Sequence, residues 1–221
     1  MKRKSFFAAV GFLAAFVLWT LLVSTFDVRP IGPNNSSVGL AGVNEFVHAL
    51  TGVHLLLYDL TDWLGLVPIA VCFGFGILGL IQWVRRKSIR KVDFSILVLG
   101  GFYMITAAAY LIFEEWTINY RPVLIEGVLE ASYPSSTTML TLCVMSTAQM
   151  QLKKYISQKI VGRVVGIAIM VFTGFMVIGR FLSGVHWFSD IVGGMLLSAG
   201  LVMMYRFICQ WMEYRNEIHK E

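Results

Sequence analysis

Six runs of about twenty mostly apolar residues dominate this 221-residue chain, and each is long enough to carry a helix across roughly 30 Å of hydrocarbon. They cover residues 5–26, 63–84, 94–113, 136–152, 161–178 and 188–208, the fourth being the shortest. In lipid every backbone N–H and C=O must find its partner inside the protein. The expected architecture is therefore all-α, a polytopic six-helix transmembrane bundle forming one membrane-embedded domain over residues 1–221. Composition points the same way: 57% of residues are apolar and 14% charged, against about a quarter charged in soluble domains.

Lys and Arg set the expected orientation, because cytoplasmic loops retain them. With a cytoplasmic N-terminus, the inner segments hold Lys2, Arg3 and Lys4; Arg85, Arg86, Lys87, Arg90 and Lys91; Lys153, Lys154, Lys159 and Arg163; and Arg206, Arg215 and Lys220. Of the 18 Lys and Arg residues only Arg29, Arg121 and Arg180 are left for the outer face. Both termini are thus expected in the cytoplasm of a plasma-membrane protein. Topology accounts for the net charge of +5, so no nucleic-acid partner is implied. The first run, preceded by Met-Lys-Arg-Lys, suits an uncleaved anchor better than a signal peptide. Cys72, Cys143 and Cys209 fall in or at the end of spans, which gives neither a disulfide framework nor a metal-ligand spacing.

Between the first two spans, residues 27–62 begin with turn-forming Pro, Gly, Asn and Ser and continue with an amphipathic pattern. Val43, Phe46, Val47, Leu50, Leu55 and Leu57 alternate with Glu45, His48 and Asp59. An amphipathic extracytoplasmic helix, lying on the membrane surface or capping the bundle, is expected there.

Polar residues that a membrane protein otherwise avoids gather in three outer segments. The first ends in Arg121-Pro122 after the third span. The second, Tyr133-Pro134-Ser135-Ser136-Thr137-Thr138, opens the fourth, and a helix start of this kind presents free N–H groups that attract anions. The third spaces Arg180, His186 and Asp190 as R-x5-H-x3-D. A neutral His can attack phosphorus, a carboxylate four residues on can orient it, and Arg can hold phosphate oxygens. Together the segments read as a phosphoryl-transfer site. The spans carry no mid-membrane charge of the kind that marks an ion path, which disfavours a channel or general transporter. Gly174, Gly179, Gly184, Gly193 and Gly194 allow close helix packing, but no dimer face is readable from them.

With these motifs and six spans, the chain resembles the type 2 phosphatidate phosphatase family, membrane relatives of the vanadium haloperoxidases. That family carries K-x6-R-P, P-S-G-H and S-R-x5-H-x3-D in the same three places. The resemblance implies a metal-independent lipid phosphatase with no cofactor, working at the extracytoplasmic face on a phosphorylated membrane lipid. It implies that His186 attacks phosphorus to form a phosphohistidine, that Asp190 orients it, and that Arg121, Arg180 and Ser135 bind the phosphate. Ser136 and Thr137, at the same helix start, join that phosphate-binding set.

Four positions depart from the family pattern. Glu114 stands at the Lys position, Gly179 at the Ser before Arg180, and Ser136-Thr137 replace Gly-His. Thr137 cannot protonate a leaving group, a step typically worth about 10²–10⁴-fold. A polyprenyl diphosphate, which expels phosphate, tolerates that loss better than a phosphatidate-like monoester, which expels an alkoxide. The alternative is a substitute acid, for which the outer face offers His48, His54, Glu126 and Glu130. Two further readings remain at the sequence level: a lipid phosphotransferase, and a non-catalytic member that binds, senses or moves a phosphorylated lipid.

Overall fold

The computed structural model describes residues 2–218, so Lys220, counted above among the inner charges, lies outside the described residues. Among the described residues eight α-helices form: α1 (Lys2–Thr25), α2 (Ala41–Thr51), α3 (Leu55–Leu64), α4 (Leu66–Arg86), α5 (Phe94–Glu115), α6 (Ser136–Tyr155), α7 (Lys159–Leu182) and α8 (Phe188–Ile218). The only strand-like pairings among the described residues are isolated bridges, such as Tyr120 with Ala131. Local chemistry marks the ends. Arg85 and Arg86 sit at the negative end of α4, which closes on Lys87 at φ 53°.

Five stretches among the described residues are long and apolar enough to cross a membrane: Arg3–Thr25, Leu55–Arg86, Phe94–Glu115, Lys159–Leu182 and Phe188–Arg215. The expected fourth span, 136–152, is not among them. It does form a helix, α6, but one rich in Thr, Gln and Met, and it packs against α4, α5, α7 and α8. Neighbouring helices take the place of lipid around it, which removes the need for an apolar surface. Its buried Thr147 lies 3.3 Å from the Tyr103 hydroxyl, and its buried Gln151 bonds Tyr205 and Ser95.

Residues 27–62 also differ from expectation. Two helices, α2 and α3, replace the single amphipathic one, and α3 runs almost straight into α4 through Gly65. The break comes at Gly52, whose φ of 66° suits glycine. Gly184, at φ 70°, ends α7 against it, where a Cβ would sit 1.9 Å from the Gly52 carbonyl oxygen. His54 N–H then donates to the Ser183 carbonyl at 2.9 Å. The α2–α3 bend is thereby fastened to the α7–α8 turn, while Phe46, Leu50 and Leu56 remain exposed.

Candidate functional site

The site grows from the start of α8. Asp190, in its first turn, reaches back so that Oδ2 accepts the Trp187 N–H at 2.9 Å, closing the helix start as a capping carboxylate does. Its Oδ1 accepts from Asn119 Nδ2 at 3.0 Å and from Ser189 Oγ at 3.3 Å. Asn44 brackets Ser189, donating to its Oγ at 2.9 Å and accepting its N–H at 3.1 Å. Asn119 Oδ1 accepts from Gly39 N–H at 3.1 Å. The loops before α2 and before α6 thus meet α8 in a knot of buried side chains whose hydrogen bonds are all made.

His186 lies just before α8 with its side chain only 1% exposed. Its Nδ1 is 3.8 Å from Asp190 Oδ2, beyond hydrogen-bond range, because that oxygen is engaged with Trp187. Among the described residues neither ring nitrogen makes a hydrogen bond of good geometry, the Ser132 backbone being the one polar group that approaches the ring as a hydrogen-bond partner. Burial, and then the charges of Arg121 and Arg180, hold its pKa well below the ordinary 6.5. The imidazole is therefore neutral at physiological pH, the form that can act as a nucleophile.

Both arginines flank the ring of Tyr58, with Cζ of Arg180 at 4.7 Å and Cζ of Arg121 at 5.8 Å from its centroid. Arg180 is 1% exposed and approaches Thr61 Oγ1 and Asp62 Oδ1, each at 3.5 Å. Arg121 Nε lies 2.9 Å from Glu130 Oε2. Arg121 Nη1 and Arg180 Nε have no hydrogen-bond partner. Glu114, at the position where a Lys was expected, is exposed at the end of α5, and the carboxylate beside Arg121 is Glu130 instead.

The helix-start residues divide between two surroundings. Ser135 is fully buried, its N–H donates to the Asp190 carbonyl at 3.0 Å, and its Oγ neither caps α6 nor meets any other partner. Ser136 and Thr137 instead line a cleft of about 610 Å³ between α4, α5 and α6, together with Asp62, Leu66, Ile69, Tyr103 and other mostly apolar side chains. Asp62, beside Arg180, connects the cleft to the arginine pair.

The substitute acids named from the sequence are otherwise engaged or distant. His48 Nε2 meets the Gly184 carbonyl at 3.0 Å, and His54 Nε2 the Thr51 carbonyl at 2.9 Å. Glu130 pairs with Arg121, and Glu126 stands exposed on a tight turn at φ 50°. Asn44, Tyr58, Asp62 and Asn119 escaped notice in the sequence. A signal existed for two of them, since Tyr58 and Asp62 are four apart and share a face of one helix. Single asparagines such as Asn44 and Asn119 carry no such pattern.

With this geometry in place, comparison with known proteins is informative. The profile of the PAP2 superfamily matches residues 101–217, from the middle of α5 nearly to the end of α8. The crystal structure of the first transmembrane PAP2 type phosphatidylglycerolphosphate phosphatase from Bacillus subtilis is similar in fold, with a TM-score of 0.52. It is 19% identical, over 94% of this chain and 97% of that one. A search of curated proteins found no match.

Proposed function

The chain belongs to the PAP2 superfamily, and from that premise we propose that it is an extracytoplasmic membrane lipid phosphatase acting through a phosphohistidine. One observation carries the reading: buried polar atoms of Arg121, Ser135, Arg180 and His186 lack protein partners in one small region beside an apolar cleft. Burying such atoms unpaired costs about 1–3 kcal/mol each, and a bound phosphate satisfies several together.

In the proposed reaction the lipid chain occupies the cleft and the phosphate lies against Arg121, Arg180 and the Ser135 hydroxyl. His186 Nε2 attacks the terminal phosphorus as its bond to the leaving oxygen breaks, which in a lipid diphosphate is the bridging oxygen and departs with the lipid monophosphate. Positive charge then develops on the imidazole, and closing the 3.8 Å gap to Asp190 stabilises it. Water next attacks the phosphohistidine, releasing phosphate and restoring neutral His186. Orientation rests on the Lys and Arg asymmetry of the loops. In this reading α6 is the sixth span, shielded from lipid by its neighbours.

With Thr137 where the family has His, the leaving oxygen receives no proton from that position. A polyprenyl diphosphate is the substrate that suits this site, because the departing phosphate is a far weaker base than an alkoxide. The test is phosphate release by detergent-purified protein in EDTA, from a polyprenyl diphosphate and from phosphatidate, with His186→Ala as control. Release from the diphosphate alone, abolished in the variant, supports the reading. Equal release from phosphatidate overturns the substrate assignment, and bound lipid with no release from either overturns hydrolysis in favour of lipid binding.

A further inference from the structure

Two guanidinium groups share this buried site, and Glu114 stands where the family motif has a third cation. Their carboxylate partners stand to one side: Glu130 touches only Arg121, and Asp62, 58% exposed on its side chain, touches only Arg180. The Tyr58 ring reaches both arginines, at 4.7 Å from Arg180 and 5.8 Å from Arg121. A guanidinium within about 6 Å of an aromatic face is attracted by the ring quadrupole, most strongly where water is excluded.

Tyr58 does not reach the arginines by accident of a flexible loop. It belongs to α3, whose residues Tyr58, Thr61 and Asp62 occupy one helix face. Three contacts seat that helix on α7. Gly52 and Gly184 approach too closely to admit a Cβ, and His54 N–H bonds Ser183. The third is Gly179, where a Cβ would lie 2.8 Å from Thr61 Cγ2 and 3.5 Å from Leu57 Cδ1. The family Ser is thus missing at the place where a side chain would press against α3.

We propose that Tyr58 is a positioning residue which aligns Arg121 and Arg180 for the substrate phosphate, and that Gly179 is the seat allowing α3 to deliver it. The inference rests on the phosphatase reading above. It assigns α3, read from the sequence as part of a surface helix, to substrate recognition. Its main requirement is the aromatic face shared by both arginines, to which the Tyr58 hydroxyl adds a hydrogen bond with Arg180 alone.

The experiment measures KM and kcat on a polyprenyl diphosphate, and competitive inhibition by inorganic phosphate, for wild type, Tyr58→Phe, Tyr58→Leu, Gly179→Ser and the Leu/Ser double variant. Tyr58→Phe, which keeps the ring and loses the hydrogen bond to Arg180, is expected to shift both constants clearly less than Tyr58→Leu does. Tyr58→Leu is expected to raise KM and the phosphate inhibition constant together by about tenfold, with kcat within about twofold. Gly179→Ser should move both in the same direction, and the double variant should fall short of the product of the single effects, because both act through one contact. Wild-type constants in Tyr58→Leu, equal damage in Tyr58→Phe, or fully multiplicative effects overturn the inference. Should Tyr58→Leu fail to fold, Tyr58→Phe and Gly179→Ser still decide it, by the same two constants. A wild type that neither hydrolyses lipid nor responds to phosphate overturns the phosphatase reading instead.

Discussion

Two clusters of polar side chains lie at opposite ends of the bundle, one partly exposed and one buried, and they are built on opposite rules. At the end formed by α4, α5 and α6, Asp93 accepts from Gln82 at 2.8 Å, Arg86 at 2.8 Å and Tyr155 at 3.2 Å, and its N–H returns to Gln82 at 2.9 Å. Nearby, Gln151 bonds Ser95 and Tyr205. No buried polar side-chain atom there is left alone among the described residues. Around His186, by contrast, Arg121, Ser135, Arg180 and His186 all hold atoms without partners, and in α6 so do Thr138 and Thr141. A satisfied cluster ties helices together, whereas an unsatisfied one of converging donors is organised around something the chain does not supply.

Substitutions that exchange these properties test the distinction most directly. His186→Ala is expected to lower phosphate release by about 10⁴-fold or more while moving the thermal midpoint by only a few degrees, since the ring's contacts to polar groups go no further than the Ser132 backbone. A large loss of stability in that variant would break the comparison. Asn119→Ala is expected to damage both properties, because Asp190 and Gly39 lose their partner together. A drop of about 1–3 kcal/mol in unfolding free energy, with at least about tenfold lower kcat, is the expected result in denaturant and turnover assays.

At the other end, Gln151→Leu is expected to cost about 1–3 kcal/mol of stability through the orphaned Ser95 and Tyr205 groups, with KM and kcat near wild type. Altered KM would mean that the two ends are coupled. The effect of pH is subtler. Because the His186 pKa is depressed in the folded protein, the unfolded chain takes up that proton first as pH falls below about 6.5. His186 thus makes stability decline with acidity below that point, while the nucleophile stays neutral and the acid limb of kcat/KM lies lower than for an ordinary His. Comparing acid unfolding of wild type and His186→Ala should show a shallower decline in the variant. The smallest expected effect is from Asp62→Asn: freeing Arg180 from a half-exposed carboxylate at 3.5 Å should tighten phosphate inhibition by about two- to threefold.

Much of the molecule was legible in the chain itself. Five of the six apolar runs correspond to stretches long and apolar enough to cross a membrane, because hydropathy is a local property that lipid reads directly. The sixth, α6, was the shortest run for a physical reason: its faces meet helices, so Thr141, Thr147 and Gln151 are buried among them. His186 and Asp190 do stand near one another, as a spacing of four at a helix start requires. Their hydrogen bond does not form, since Asp190 Oδ2 is already bonded to the Trp187 N–H.

What the sequence determined alone was the solvent of this protein, the number of long apolar runs, and the three polar segments that the fold then gathers together. Periodicity and hydropathy act between neighbours, so a single strand of text contains them. Tertiary structure decided which groups meet: Thr61 with Arg180, Asn44 with Ser189, and Tyr58 with both arginines. These pairs are far apart along the chain and have no local pattern. Close packing at Gly52, Gly179 and Gly184 brings α3 over the site, so the arginines gain an aromatic face that neither motif contains.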